Sequence, residues 1–348
     1  MTVTEGLHMT VLGDARATPR RTALICLMLG AALLASIVLV SLFGSERLPA
    51  SESLCTLFSL GRRGCGLSAA QTAILMDIRL PRILLAAAVG ASLAAAGASY
   101  QALLRNPLAE PYLLGISNGA AVGTMLSLVF LGQFAFARPL LAFGGALLAT
   151  LLVYRLAAGR TGTTPERLIL SGVIVTTFLS SVIVFVTTLL DATRIRSFTF
   201  WLLGDLSGSA GNLLIVSIVV SILCTTVLSF HARSLNLLML GERDAFDLGV
   251  EVSRVRFTVF IVASLLVGSS VASSGSVGYV GLVVPHLVRL SFGSDNRLTI
   301  PAAALLGAMF VVIADTLART LIAPRELPVG AITAIIGAPL FIYLLRRG

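Results

Sequence analysis

The chain has 348 residues, of which 57% are hydrophobic, and its mean hydropathy is +0.98, so it carries more apolar surface than a soluble domain of this length can bury. All 25 basic residues are arginine, which excludes chemistry that depends on lysine, including that of nucleotide-binding P-loops. In such an apolar chain, a net charge of +9 is explained by arginines that set the membrane topology, and it does not indicate nucleic-acid binding. The sequence therefore predicts a membrane protein with many crossings.

Ten apolar stretches along the chain are each long enough for one bilayer crossing. The fold class is therefore predicted to be all-α, with about ten transmembrane helices. We expect residues 1–21 to form a cytoplasmic N-terminal tail and residues 22–348 to form one transmembrane domain. The ten predicted spans are 22–43, 83–104, 113–131, 139–157, 168–190, 213–230, 257–273, 277–292, 299–322 and 330–345.

Arginine counts predict the orientation of these spans. With the N-terminus in the cytoplasm, fifteen arginines fall on inner segments and ten on outer segments. Positive residues are more frequent in cytoplasmic loops, so this orientation is favoured and both termini are expected in the cytoplasm. The arginines on the outer side then require an explanation of their own.

The loop at residues 231–256, between the sixth and seventh spans, is too long for a simple turn and too polar to cross a bilayer. Within it, residues 235–240 run into Gly241 and residues 242–248 run into Gly249, which predicts two short helices with glycine stops. The predicted topology places this loop in the cytoplasm. Because the chain has no nucleotide-binding motif, we interpret the loop as a docking surface that receives motion from a separate protein.

A break is predicted between the second and third spans, where the sequence reads NPLAEP. Two prolines four residues apart, Pro107 and Pro111, cannot lie in an undisturbed helix. The segment is either an ordinary turn or an element that re-enters the membrane and lines a pathway. Ser117 and Asn118 follow in a small, polar helix start that could face a pore.

The four cysteines show no CxxC spacing, and neither a metal site nor a catalytic site is predicted. Cys55 and Cys65 flank a short extramembrane loop, and the sequence leaves open whether they form a disulfide, which requires an oxidising side, or stay free thiols. His286 and Arg289, in the eighth span, are interpreted as structural residues, since no second metal-ligating side chain has a suitable spacing with them.

Glycine spacing indicates an internal repeat. Gly90 and Gly97 are seven residues apart in the second span, as are Gly268 and Gly275 in the seventh. Five spans separate the two starts, so the copies would be inverted in the membrane.

Several long motifs in a fixed order resemble the FecCD family of ABC-transporter permeases, which import ferric siderophores, heme and cobalamin. The resemblance runs from about Asp77 to the C-terminus. Its motifs are RLPRILLAAAVGASLAAAGASYQALLRNPLAEPYLLGISNG from Arg79, FWLLGDLSG from Phe200, LNLLMLGERDAFDLGV from Leu235, GSVGYVGLVVPHLVRL from Gly275, ADTLAR from Ala314 and ELPVGAITAIIGAPLFIYLL from Glu326.

The resemblance implies a role for two groups of residues. Arg79, Arg82 and Arg319 would dock acidic residues of a periplasmic binding protein; without the family, Arg79 and Arg82 read as an arginine pair reaching toward the membrane surface. The loop would insert into a cleft of a cytoplasmic ATPase, with Glu242 and the neighbouring charges in cross-subunit pairs. The predicted coupling residues are Leu240, Gly241, Glu242, Arg243, Asp244, Phe246, Asp247 and Gly249.

The break and the outer loop before FWLLGDLSG predict parts of a translocation pathway, and the family resemblance implies that the fifth span contributes to it. Arg194 and Arg196 are either simple loop charges or an electropositive mouth that attracts heme propionates or an anionic ferric chelate. The predicted pathway residues are Asn106, Pro107, Ser117, Asn118, Thr176, Thr177, Ser180, Ser181, Arg194 and Arg196.

These observations predict the permease subunit of an ATP-driven importer in a bacterial inner membrane. It would pair with a second copy of itself, bind two ATPase subunits that hold the ATP and Mg²⁺, and receive its substrate, heme by preference, from a periplasmic binding protein. The chain itself would bind no cofactor and catalyse no reaction. Ferric siderophore and cobalamin are the alternative substrates. An ion-coupled carrier is the rival class, and we disfavour it because the spans show no central acidic residue.

Overall fold

The computed structural model describes residues 18–44, 46, 48–59, 61, 65–131, 134, 136–159, 163–208 and 211–347. Of the predicted N-terminal tail, only residues 18–21 are described, and they begin the first helix rather than a tail. Thr18 accepts a hydrogen bond from the backbone N–H of Arg21, and Pro19 occupies the first helical position, where its missing N–H costs nothing.

The described residues form fifteen α-helices. The third runs through a π-helical stretch, Ile74–Arg79, into the fourth, so that residues 69–103 make one continuous helix. The helices are α1 (Pro19–Ser41), α2 (Ala50–Phe58), α3 (Ala69–Ala73), α4 (Leu80–Leu103), α5 (Ile116–Phe130), α6 (Ala137–Ala157), α7 (Pro165–Thr187), α8 (Ala192–Leu202), α9 (Asn212–Phe230), α10 (Ala232–Leu240), α11 (Glu242–Asp247), α12 (Val252–Ser274), α13 (Val280–Phe292), α14 (Asn296–Thr320) and α15 (Val329–Arg347).

The prediction of about ten apolar helices is confirmed. Seven helices are long and apolar enough to cross a membrane, and three more, in α5, α13 and α15, are apolar but shorter. The short α5 and α13 begin later than the sequence predicts, because each follows a break that occupies the first part of the predicted span. Pro285 lies inside α13 without ending it.

Helix α4 forms the centre of the bundle, and small residues let its neighbours approach it closely. A Cβ atom added to Gly90 would lie 2.1 Å from the Gly307 carbonyl oxygen of α14, and one added to Gly97 would lie 2.0 Å from the Gly281 carbonyl oxygen of α13. Neither contact leaves room for a side chain. Within a lipid bilayer the hydrophobic effect does not drive helices together, so close contacts of this kind supply much of the attraction between them.

The order of elements matches the predicted inverted repeat. Helix α4, a break and the short α5, followed by α6 and α7, correspond to α12, a break and the short α13, followed by α14 and α15. The leading helices, α4 and α12, run in opposite directions. This is shown by Tyr100 near the end of α4, which donates a hydrogen bond to the carbonyl oxygen of Phe260 near the start of α12, at 3.1 Å.

The two ends of the bundle are distinguished by α10 and α2. We call them the α10 side and the α2 side. The beginnings of α1, α12 and α14 and the end of α4 lie on the α10 side. The α2 side carries a disulfide between Cys55 and Cys65, whose Cα atoms are 5.6 Å apart. Residues 62–64 of the enclosed loop lie outside the described part of the chain.

Candidate functional site

The predicted loop at residues 231–256 folds into two short helices, α10 and α11, and its last five residues, 252–256, begin α12; we call residues 231–251 the two-helix element. Gly241 separates the helices with φ of +151°, and Gly249 follows α11 with φ of +83°. Both values lie where side chains are disfavoured, so glycine is required at both joints. The sequence pattern therefore predicted both helices and their glycine stops, whereas α10 begins at Ala232, three residues earlier than predicted.

The outer surface of the two-helix element is partly apolar. Leu240, Phe246 and Leu248 are 69%, 71% and 63% exposed, although large apolar side chains are costly to leave in water. Such a patch, rimmed by polar residues, marks an interaction site. The charged residues exposed around it are Arg243, Asp244 and Asp247.

A cluster of amides ties α10 to the beginning of α14. The Asn236 side chain donates to Asp295 Oδ1 at 2.6 Å, and its oxygen accepts from the backbone N–H and the side-chain amide of Asn296 at 2.9 and 2.8 Å. Leu235 and Leu238 are buried on either side of it. The two-helix element is therefore fastened to α14 by hydrogen bonds as well as by packing.

The carboxylate of Glu242 binds within the chain, and its predicted role in a cross-subunit pair stays a prediction. It accepts from Arg256 of α12 and lies 3.9 Å from Arg105 at the end of α4. Arg256 also donates to the carbonyl oxygen of Thr163, ahead of α7. Glu242 is close in sequence to the exposed patch, but its side chain serves to hold α11 against α4 and α12.

We expect Asn236→Ala to loosen the two-helix element from α14. The substitution leaves polar groups of Asp295 and Asn296 with fewer partners, at a cost of about 1–3 kcal/mol. Hydrogen–deuterium exchange of residues 235–247 should rise. Ser234→Ala is the matched control, since the Ser234 hydroxyl makes no hydrogen bond within the described part of the chain. Unchanged exchange in Asn236→Ala would show that packing alone holds α10.

The segment between α4 and α5 re-enters the bundle, which decides between the two readings of NPLAEP. Its 3-10 turn, Pro111–Leu114, lies against Gly172, where an added Cβ would come 2.6 Å from the Leu113 carbonyl oxygen. Gly172 is seven residues into α7, about 10 Å along that helix at 1.5 Å per residue. The prolines therefore begin a re-entrant segment rather than an ordinary turn.

A second break, residues 275–279 between α12 and α13, meets this segment inside the bundle. The Tyr112 hydroxyl donates to the Val277 carbonyl oxygen and accepts from its N–H, both at 3.0 Å. Glu110 Oε1 accepts from the backbone N–H of Tyr279 at 3.1 Å. We call these contacts the break junction. Glu110 lies in the segment that connects two predicted spans. The sequence therefore did not predict a carboxylate inside the bundle.

The predicted pathway residues do not form one cluster. Asn118 of α5 donates to the Thr176 carbonyl oxygen at 3.0 Å and to the Ser180 hydroxyl at 2.7 Å. Ser117 is buried beside it, whereas Thr177 and Ser181 are exposed on α7 and donate to carbonyl oxygens of their own helix. Asn106 and Pro107 lie apart on the α10 side, where Asn106 accepts from the N–H of Leu108.

Arg194 and Arg196 lie on the α2 side, on the short helix α8. Asp191 caps that helix, and the hydrogen bond from the Arg194 N–H holds the pKa of the Asp191 carboxyl below its usual range. Arg194 also lines a cavity of about 620 Å³ together with Phe130 and Phe134. Arg196 lies over the ring of Phe200 at 5.8 Å. The two arginines are therefore next to aromatic side chains.

The three arginines predicted to dock a binding protein are buried on the α2 side. Arg82 Nη2 lies 3.0 Å from Asp315 Oδ1 and Arg82 Nη1 lies 2.7 Å from Glu326 Oε2, while Arg319 Nε lies 2.9 Å from Asp315 Oδ2. We call these four residues the charge cluster. Arg79 turns away from it and donates to the carbonyl oxygens of Ser41 and Glu46, at the end of α1.

In this arrangement, Arg82 and Arg319 stabilise the fold through buried ion pairs. The side chains of Arg82 and Arg319 are only 10% and 7% exposed, and their partner Asp315 is 1% exposed. The charge cluster joins α4, α14 and the connection to α15. Docking of a partner through these arginines stays a prediction.

Comparison with known proteins agrees with these features. Residues 28–347 match the FecCD transport family. The hemin transport system permease protein HmuU of Yersinia pestis is 39% identical over 331 residues, which cover 92% of this chain and 96% of that protein. The cobalamin import system permease protein BtuC of Halobacterium salinarum is 44% identical over 273 residues, covering 78% and 73% of the two chains.

A solved structure has the same fold. It is described as an inward-facing conformation of a metal-chelate type ABC transporter, and it matches with a TM-score of 0.82 at 30% identity, covering 94% of this chain and 100% of that one. Together with the apolar helices and the two-helix element, these matches define a multi-pass membrane permease subunit of an ABC transporter. The chain belongs to the FecCD transport family.

Proposed function

We propose that this permease imports heme from the periplasm to the cytoplasm, with energy from ATP that a partner ATPase hydrolyses. The observation that carries the proposal is the exposed apolar patch of the two-helix element, formed by Leu240, Phe246 and Leu248 on an otherwise polar surface. Exposed apolar patches with a polar rim are typical of surfaces that bind a partner. The partner supplies the nucleotide site, with its ATP and Mg²⁺, because this chain contains no P-loop lysine.

The assembly in this proposal has two copies of the chain, two ATPase subunits and one periplasmic binding protein. The α10 side faces the cytoplasm of a bacterial inner membrane. The arginine distribution supports this orientation, and so does the disulfide on the α2 side, since disulfides persist in oxidising compartments. The binding protein docks on the α2 side, where its carboxylates compete with Asp315 and Glu326 for Arg82 and Arg319.

Transport follows from the contacts of the two-helix element. Closure of the ATPases displaces α10 and α11, and the bonds of Asn236 to α14 and of Glu242 to α12 carry the displacement into the bundle. The break junction lies between the two halves of the repeat, and in this proposal its contacts change when the halves move. Alternating access requires two such arrangements with different contacts.

Two observations support heme as the substrate. The cavity beside Arg194 combines a cationic group with Phe130 and Phe134, which matches a flat apolar ring that carries carboxylates. A hemin permease also matches this chain over nearly its whole length. Ferric siderophore and cobalamin are the alternatives within the same machinery.

We expect Phe246→Ala to weaken binding of the partner ATPase about 30-fold, since truncation of a central aromatic residue at an interface costs about 2 kcal/mol or more. Affinity between the purified permease and the ATPase measures the effect. Arg254→Ala, which removes an exposed side chain of α12 on the same side, should leave affinity within about twofold. Equal affinities of Phe246→Ala and the unaltered permease would place the ATPase elsewhere.

Reconstituted vesicles test the function as a whole. With the ATPase, the binding protein and ATP present, heme should accumulate, and an excess of ferric siderophore or cobalamin should not compete. Competition by either compound would mean that it, and not heme, is the substrate, and the proposal of an ATP-driven importer would stand. Uptake by this chain alone, driven by an ion gradient, would instead reject the importer and support an ion-coupled carrier.

A further inference from the structure

A cavity of about 550 Å³ lies between α1, α4, α9 and α14. Its walls are apolar and include Cys26 of α1, Leu84 and Ala91 of α4, Ile222 of α9 and Ala304 of α14. All four helices are long and apolar enough to cross a membrane. The cavity therefore lies at the depth of lipid tails, and its volume is that of a ligand site.

The cavity exists because α1 hardly enters the bundle. Only Ile25, Val40 and Ser41 of its residues are buried. The surfaces of α4 and α14 that face α1 are made largely of alanine, so no long side chain fills the space between α1 and α9. One polar group is left over in the wall. The hydroxyl oxygen of Thr225 is buried and has no hydrogen-bond partner among the described residues.

Three arginines lie near the α10-side ends of these helices. Arg20 of α1 precedes Cys26 by six residues and Arg297 of α14 precedes the lining residue Pro301 by four, which corresponds to about 9 and 6 Å along the two helix axes. Arg233 lies at the beginning of α10, four residues after the lining residue Ser229 of α9. Arg20 and Arg233 are exposed, and Arg297 shares its charge with Asp295 at 3.7 Å.

We infer that this cavity binds one acyl chain of an anionic glycerophospholipid, whose headgroup lies among Arg20, Arg233 and Arg297. The hydrocarbon wall fits the acyl chain. Basic residues beside a cleft between transmembrane helices bind anionic headgroups. Thr225, five residues before the end of α9, lies near the depth of the glycerol esters and can donate its hydroxyl to an ester carbonyl oxygen. The inference requires only a membrane protein and is independent of the transported substrate.

Native mass spectrometry of the delipidated permease, titrated with phosphatidylglycerol or phosphatidylcholine, tests the site. We expect one phosphatidylglycerol to bind at least tenfold more tightly than phosphatidylcholine. Ala91→Phe, which fills the cavity, should abolish this binding, whereas Ala32→Phe, at an exposed position of α1 outside the cavity wall, should not. Arg233→Ala should reduce the preference for phosphatidylglycerol, and Arg254→Ala should preserve it.

The two unpaired cysteines give a second readout in the folded protein. Cys26 lines the cavity and Cys224 does not, although both are partly exposed. Phosphatidylglycerol should slow labelling of Cys26 by a membrane-permeant maleimide and leave labelling of Cys224 unchanged. Equal protection of both thiols, or phosphatidylglycerol binding that survives Ala91→Phe, would overturn the site. Equal affinity for the two lipids would overturn its charge selectivity.

Discussion

Replacing Asp315 by asparagine should lower the free energy of unfolding by about 3–5 kcal/mol, the cost of breaking a buried ion pair from one side. Asp315 is the carboxylate that Arg82 and Arg319 share, and it is almost completely buried. Asparagine keeps the shape but removes the negative charge, so two buried guanidinium groups lose their common partner. Unfolding of the purified permease in mixed micelles, followed by circular dichroism, measures the loss.

Glu326→Gln is the matched control for this prediction. Glu326 binds the same Arg82, but its side chain is 46% exposed, so water replaces much of the lost interaction. We expect a change of about 1 kcal/mol or less. If the two variants lost equal stability, burial of Asp315 would not be the source of the effect.

The charge cluster also changes how docking should be tested. Reversing the charge of Arg82 would set a third carboxylate beside Asp315 and Glu326 and would disrupt the fold before any partner binds. Loss of uptake in such a variant would therefore say nothing about a binding protein. Glu326→Gln tests docking without this disruption, because it removes one ion pair of Arg82 and leaves the buried pair with Asp315 in place.

The second large effect is expected at Gly97, where a valine should prevent assembly of the bundle. Even a Cβ atom at this position would lie 2.0 Å from the Gly281 carbonyl oxygen, and backbone cannot turn aside as a side chain can. Overpacking typically costs about 1–3 kcal/mol, and contact with backbone exceeds the upper end of that range. The yield of monodisperse protein after solubilisation in mild detergent measures the loss.

Gly144→Val is the control for this substitution. Gly144 lies in α6, and an added Cβ there would meet nothing within 4 Å. Its yield should equal that of the unaltered protein. A normal yield for Gly97→Val would mean that α4 and α13 can separate without loss, contrary to the close packing of the bundle.

Local features of the structure could be predicted from the sequence. Each apolar span is recognisable by its own length and composition, so all ten apolar helices were found. The two-helix element was also predicted with its two glycine stops, because Gly241 and Gly249 act on the backbone beside them. The start of α1 was misplaced by three residues, since the cap at Thr18 precedes the apolar stretch that defined the span.

Contacts between distant segments could not be predicted in the same way. Arg82 and Asp315 are 233 residues apart, and Glu110 and Tyr279 are 169 apart. Nothing in one sequence pairs such residues, so Arg82 was interpreted as an arginine reaching toward the membrane surface, and no role was predicted for Glu110. The intrachain partners of Glu242 could not be predicted either, because Arg256 and Arg105 meet it only in the folded chain.

Helix α14 has 25 residues and a length of about 37 Å, and it is bonded at both ends. Asn296 at its start binds α10, and Asp315 and Arg319 at its end belong to the charge cluster. Along its middle it is held against α4 by the contact of Gly307 with Gly90. The helix is thus a strut between the two membrane surfaces. A shift of α10 by one or two ångströms must either reach the α2 side or break one of these attachments.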